Sequence, residues 1–284
     1  MDEPVSRYYV SQGLKLHWSD WGNEGAPPLL LVHGGLDHGR SWDAIAKGLR
    51  NDYRVMALDL RGHGDSEWVR GSSYPLPDYV ADIYEFLQQQ KIEKVRIVSH
   101  SMGGGISLLL AGSFPELVER LFVIEGLRVM LPNTDPIQDR MTRWIGQIQD
   151  QSHRQPRGYA SIEDALARMQ AAHPRLTEQQ ARHLTTHGVR QRPDGTWFWK
   201  YDGGIRLRSP YRLSFEDVSQ LWSRIACPTL LVRGAASGRP DPAEKGWMQY
   251  FQHGSIHDVD GAGHWVHHDN PDGILELARN FLRE

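Results

Sequence analysis

The chain is punctuated by short apolar runs, each of which stops at a cluster of glycine and polar residues. Residues 29–32 are continuously apolar and end at His33-Gly34-Gly35. A run without polar alternation predicts a strand buried on both faces, the signature of a parallel sheet. The unit recurs. Residues 55–58 end at Asp59 and Arg61-Gly62-His63-Gly64-Asp65-Ser66, residues 95–98 run into Ser99-His100-Ser101-Met102-Gly103, residues 121–124 end at Glu125-Gly126, and residues 229–232 end at Arg233-Gly234. Between them Val80, Ile83, Tyr84 and Leu87 keep helical spacing, and residues 106–110 continue as a helix to Phe114-Pro115. Strands alternating with helices predict an α/β fold with a doubly wound, mostly parallel sheet. Ahead of it, residues 7–21 alternate and meet a Gly/Pro turn cluster, which predicts a hairpin or edge strand.

The strand rhythm breaks off between residues 127 and 221. Helices are expected there over residues 161–172, with Ile162, Ala165, Leu166 and Met169 on one face, and over residues 177–184, opened by Thr177-Glu178-Gln179-Gln180. An insertion between two sheet strands lies over their carboxyl ends, where open α/β sheets bind ligands. It therefore reads as a helical lid, residues 127–221, on a core made of residues 1–126 and 222–284.

Composition narrows the class of partner. The 284 residues correspond to one large domain with an insertion, or to two domains at about 150 residues each. With 32 Lys+Arg against 35 Asp+Glu, the formal charge of -3 gives no electrostatic reason to expect nucleic acid or an anionic membrane. The single cysteine, Cys227, excludes a disulfide within the chain. No apolar run approaches the roughly 20 residues of a spanning helix, and the start Met-Asp-Glu-Pro lacks the regions of a signal peptide. A cytoplasmic monomer or dimer acting on a small molecule is expected. The 10 Trp and 14 His are what stand out.

Chemistry concentrates where the strands stop. After residues 95–98 a strand passes at once into a helix with Ser101 at the apex, and small residues, Ser99 and Gly103, stand two positions to either side. This is the nucleophile elbow of G-x-S-x-G form with Ser99 in place of the first glycine. It presents the Ser101 hydroxyl and sets the Met102 N–H at a helix start, where it can stabilise an oxyanion. The Gly-rich turn His33-Gly34-Gly35 can supply the second donor, the N–H of Gly35. Near the C-terminus, Gly261-Ala262-Gly263-His264-Trp265 offers His264 as the base. His267 and His268 follow at offsets of three and four, but with no third ligand or H-E-x-x-H arrangement in the sequence no metal site is expected, and no cofactor.

Four motifs in chain order, His33-Gly34-Gly35, Asp59-Leu60-Arg61-Gly62-His63-Gly64-Asp65-Ser66, Ser99-His100-Ser101-Met102-Gly103 and Gly261-Ala262-Gly263-His264-Trp265, resemble those of the α/β-hydrolase superfamily. They span residues 29–127 and 225–284. The stretch from His33 to Asp43 and the segment from Ser161 to Arg212, with Trp199-Lys200-Tyr201-Asp202, are similar to its serine hydrolase-like branch. The resemblance implies a Ser, acid, His triad, and the acid is where the chain departs from the common pattern. Most relatives carry an Asp a few residues past the glycine after the strand that here ends at Val232, yet those positions hold Ser237 and Gly238, and Asp241 comes late between two prolines. Some haloalkane dehalogenases in the same superfamily carry a Glu at the strand end that Glu125 occupies here, from which a carboxylate can reach the distal nitrogen of the base. Glu125 is therefore the preferred acid and Asp241 the alternative. The nucleophile of those dehalogenases is an Asp, so Ser101 argues against carbon–halogen or epoxide hydrolysis.

The expected activity is hydrolysis of an ester or thioester through an acyl-enzyme. Carbon–carbon bond hydrolysis on the same triad and non-catalytic binding of a small ligand are the alternatives. Trp144, Trp197, Trp199 and Trp222 fall in or beside the insertion, with Tyr159, Phe198, Tyr201, Tyr211 and Phe215, which suits an apolar or aromatic substrate group. Trp42, His100, Trp199 and Trp265 are the candidate substrate contacts, and Arg128, Arg206 and Arg208 are candidate carboxylate ligands.

Overall fold

The opening alternation folds into an antiparallel hairpin, β1 (Val5–Ser11) with β2 (Leu14–Asp20), turned at Gln12 and Gly13 with φ of 49° and 78°. Two successive positive φ values are what a tight hairpin turn needs. The apolar runs become β3 (Pro28–Val32), β4 (Arg54–Leu58), β5 (Val95–His100) and β6 (Val118–Ile124). After a short antiparallel pair in the insertion, β7 (Val189–Gln191) and β8 (Trp197–Trp199), the sheet resumes with β9 (Thr229–Gly234) and β10 (Gly254–Val259). The eight-stranded sheet runs β1-β2-β4-β3-β5-β6-β9-β10, parallel from β4 onward. The computed structural model describes residues 3–69, 73–127, 135–152, 155–207, 209–210 and 212–283. Arg128, Arg208 and Tyr211 lie outside the described residues.

Strand alternation sorts the apolar runs onto two faces. Leu29 and Leu31 join Val55, Val98 and Phe122 beneath α1 (Asp43–Leu49) and the C-terminal helix Pro271–Arg283, whereas Leu30 and Val32 join Met56, Ile97 and Val123 beneath α2 (Leu76–Gln89) and α3 (Met102–Ser113). Burial on both faces is why these runs carry no polar residue.

Between β6 and β9 lie α4 (Ile137–Ser152), α5 (Ile162–Ala172), α6 (Glu178–Gly188) and α7 (Phe215–Trp222). Ser161 with Asp164, and Thr177 with Gln180, close reciprocal capping boxes at the starts of α5 and α6. This segment meets the loops at the carboxyl ends of the strands: Arg175 donates to the Gly261 carbonyl at 2.6 Å, Gln180 to that of His268 at 2.8 Å, and the Asp202 N–H to that of Gly62 at 2.8 Å. The exception is α7. It packs on α3, and Trp222 is buried in the main core, stacked on Phe251 at 5.3 Å, so Trp222 is not one of the aromatics available to a ligand. Among the described residues no helix is long and apolar enough to cross a membrane.

Two features set the strand ends in place. One is the approach of α3 to the sheet: a methyl added at Gly103 would lie 2.4 Å from the His33 carbonyl oxygen, and one at Gly104 would lie 2.6 Å from Gly126 Cα. The other is a layer of buried imidazoles. His33 accepts from the Leu60 N–H at 3.0 Å and donates to the Gly34 carbonyl at 2.6 Å, His63 lies edge-on to it at 5.0 Å and donates to the Arg61 carbonyl at 3.0 Å, and His100 donates to the His264 carbonyl at 2.9 Å. Burial lowers the pKa of His33, takes that of His63 down to about 3 and holds that of His100 well below the ordinary value.

Gly104→Ala is expected to cost about 1–3 kcal/mol of stability, because backbone must move to admit the methyl. Gly146→Ala, in α4 with nothing within 4 Å of the added carbon, is expected to leave stability unchanged or raise it by up to about 1 kcal/mol. Urea denaturation of the two variants checks the contrast, and equal effects contradict the packing. The buried imidazoles generate a second expectation. Each stays neutral when folded but protonates from about pH 6.5 when unfolded, so below that pH the unfolded chain binds more protons. Stability then falls with pH by up to about 1.4 kcal/mol per unit per histidine, until the folded pKa is reached, about 3 for His63. Denaturation midpoints between about pH 7 and pH 5 measure it; a flat profile is the contrary result.

Candidate active site

β5 does not turn gently into α3. Ser101 takes φ 51° and ψ -114°, and the helix begins at the next residue. Positive φ in a non-glycine residue costs roughly 1–3 kcal/mol and persists only where the surroundings fix it. Here the Ser101 N–H donates to the Ile124 carbonyl at 2.8 Å, and Ser99, wholly buried, leaves room for the turn. The Ser101 hydroxyl donates to Nε2 of His264 at 2.9 Å.

His264 stands in the loop between β10 and α8 (Val266–Asp269). Its Nδ1 lies 3.3 Å from Oε2 of Glu125, toward which it donates. Glu125, just past β6, is itself left-handed, with φ 53°; its N–H donates to the Val232 carbonyl at 2.8 Å and its Oε1 accepts from the Gly234 N–H at 2.8 Å. The carboxylate is wholly buried, and such a group is tolerated only when it is paired and hydrogen-bonded. Besides His264 it has Arg239, whose Nε lies 4.0 Å from Oε2 and whose Nη2 lies 3.4 Å from Nε2 of His264. Asp241 is engaged elsewhere. It pairs with Arg233 and accepts from the Ala243 N–H at 2.7 Å. A hydroxyl, an imidazole and a buried carboxylate are thus aligned, the arrangement in which an imidazole can take a hydroxyl proton and hold the resulting charge.

The turn after β3 abuts the elbow: a carbon added at Gly35 would lie 3.7 Å from Met102 Sδ, and Leu36 beyond it is left-handed, with φ 64°. The Met102 N–H opens α3 and so has no partner within the helix. A cavity next to this turn is lined by Leu36, His38, Met169, Trp199, Tyr201 and Trp265, so it is walled by both the insertion and the core. Of the expected substrate contacts, Trp199 and Trp265 line it. Trp42 and His100 are not among the lining residues. Trp42 is wholly buried and stacks on His267 at 4.6 Å, since its large ring fills the core under α1. His100 is 1% exposed and spends its Nε2–H on the His264 carbonyl, so it ties down the loop that carries His264. Sequence reasoning missed Arg239, which only the fold of the loop after β9 brings to His264, and His173, whose ring stacks on Trp265 at 4.1 Å.

Comparison with known proteins agrees with this architecture. Residues 29–277 match the model of the Alpha/beta hydrolase family. A serine hydrolase-like protein of Danio rerio is 27% identical over 93% of this chain and 83% of its own length. An esterase of Mycobacterium tuberculosis is 27% identical over 92% and 84%, and epoxide hydrolase 4 of Mus musculus 27% identical over 96% and 77%. A hypothetical protein of Pseudomonas aeruginosa superposes with a TM-score of 0.88, at 27% identity, over 98% of this chain and 99% of its own. With its sheet order, its strand-end site and a family match over most of its length, the chain belongs to the alpha/beta hydrolase family.

Proposed function

We propose that this hydrolase cleaves a carboxylic ester or thioester through an acyl-enzyme, with Ser101 as nucleophile, His264 as base and then acid, and Glu125 as the carboxylate behind it. One observation carries the reading: Ser101 Oγ, His264 Nε2 and Nδ1, and Glu125 Oε2 stand in line at 2.9 and 3.3 Å. Oγ attacks the acyl carbon while its proton passes to Nε2. The oxyanion that forms is held by the N–H groups of Met102 and Gly35. The intermediate collapses, the leaving alcohol or thiol takes the proton from Nε2, and an acyl-serine remains. Water then attacks the acyl carbon, gives its proton to Nε2, and releases the acid as Oγ recovers a proton. Glu125 keeps Nδ1 protonated and stabilises the imidazolium in both halves.

Two further points support an ester over an epoxide, although an epoxide hydrolase is among the relatives. A serine opening an epoxide would form an ether, which water does not cleave as it cleaves an ester. The esterase and serine hydrolase-like relatives carry names that fit a serine nucleophile. In this reading the insertion acts as a lid, and Trp199 and Trp265 receive an apolar or aromatic group of the substrate.

Ser101→Ala and His264→Ala are each expected to lower kcat for a short p-nitrophenyl ester by about 10³-fold or more, and a fluorophosphonate probe to label the wild-type chain at Ser101 only. Full turnover in either variant, or no labelling, overturns the mechanism. The acid is tested separately. Glu125→Gln is expected to lower kcat by about 10³–10⁴-fold while Asp241→Asn leaves it unchanged, and the opposite ranking transfers the role to Asp241.

A further inference from the structure

One cluster of ligand-type side chains is unused by the reaction proposed above. Asp37 in the loop after β3 meets His267 and His268 of α8, with one carboxylate oxygen and one nitrogen of each ring all within 4.8 Å of one another. The spacing of His267 and His268 supplies two ligands. The fold supplies the third, from the other end of the chain.

Among the described residues two other groups of this kind occur, and their carboxylates are already engaged. Asp43 is held by Arg40 and His183, and Asp59 by His17 and by the N–H groups of Gly39 and Asp65. At Asp37 the state of the polar atoms is different. Its Oδ2, both ring nitrogens of His267 and Nε2 of His268 are buried with no hydrogen-bond partner, and Asp37 and His267 are only 5% and 2% exposed. The other carboxylate oxygen accepts from the His38 N–H at 2.9 Å, which fixes the group's orientation. Buried polar atoms are almost always satisfied, so orphans on three residues whose ligand atoms lie within 4.8 Å of one another call for a bound group.

The donor set identifies its class. Two neutral imidazoles and one carboxylate suit a borderline divalent transition ion such as Zn²⁺, whereas Mg²⁺ and Ca²⁺ take oxygen ligands. Three protein ligands leave a coordination position open, and Asp37 borders the cavity beside Trp265. We propose that Asp37, His267 and His268 form a binding site for a divalent transition-metal ion of the Zn²⁺ class beside the cavity that Asp37 lines. The ring of His267 stacks on Trp42 on one side and lies 4.6 Å from that of His100 on the other. Through His100, which holds the His264 carbonyl, a bound ion braces the loop that carries the base.

The test is titration of the metal-stripped full chain with ZnCl₂ by equilibrium dialysis, and with CoCl₂ by visible absorption. One equivalent is expected to bind, with the intense d–d bands of four-coordinate Co²⁺. Asp37→Asn and His268→Gln are each expected to weaken binding by about tenfold or more, while His183→Gln, in the neighbouring cluster, and His264→Ala, at the triad, leave it unchanged. Absence of stoichiometric binding by the wild-type chain overturns the site, and needs no variant to fold. So does binding that survives both ligand substitutions, or that is lost with His183 or His264 instead. Because His264→Ala abolishes turnover but not the expected binding, failure of the metal site and failure of the ester mechanism are read separately.

Discussion

The contact on which the site depends is the one between the start of α3 and the ends of β3 and β6. Gly103 faces the His33 carbonyl and Gly104 faces Gly126, at separations that no side chain could share. That closeness forces the chain to reverse within one residue, and the residue that reverses is Ser101, at positive φ. The same closeness brings the turn after β3 against the Met102 side chain. A helix set further out would relieve Ser101 and separate Met102 from that turn. Strain at Ser101 and the seating of the turn after β3 against Met102 are therefore two results of one packing distance.

On the proposed mechanism, Glu125 shows how a parallel sheet can exchange one acid position for another. It sits at the end of β6, and the adjacent strand β9 supplies the Gly234 N–H that fixes its carboxylate. Arg239, in the loop where relatives are expected to place the acid, points back to Glu125 and His264 instead. A cation in that position helps to compensate the buried carboxylate on β6. Asp241, released from any need to face His264, is tied to Arg233 on the far side of the same loop.

How much of this was legible in the sequence follows from which signals are local. Residues 29–32, 55–58, 95–98, 121–124 and 229–232 announce themselves because burial on both faces excludes polar residues, and the elbow announces itself because its steric demands fall within a few neighbouring positions. β10, with the sequence Gly-Ser-Ile-His-Asp-Val, does not, because an edge strand half exposed to solvent needs no apolar run. Trp42 and His100 read as pocket residues from their place in the motifs, yet both point inward; adjacency in sequence to a reactive group carries no information about which side of the backbone is buried. Arg239 and Asp37 were invisible for the opposite reason, since their partners lie far away along the chain.

The loop that carries His264 is clamped from two sides. The core holds it through His100, which donates to the His264 carbonyl, and through the Gly263 N–H, which donates to Asp269 at 2.6 Å. The insertion holds it through Arg175 on the Gly261 carbonyl, Gln180 on the His268 carbonyl, and the stack of His173 on Trp265. The insertion is thus a wall of the cavity and also part of what fixes the loop that carries His264. A change in α5 or α6 that reshapes the cavity also loosens or tightens the loop on which His264 rides. In this chain the shape of the cavity and the placement of the His264 imidazole are mechanically coupled, and neither can be altered from the insertion without acting on the other.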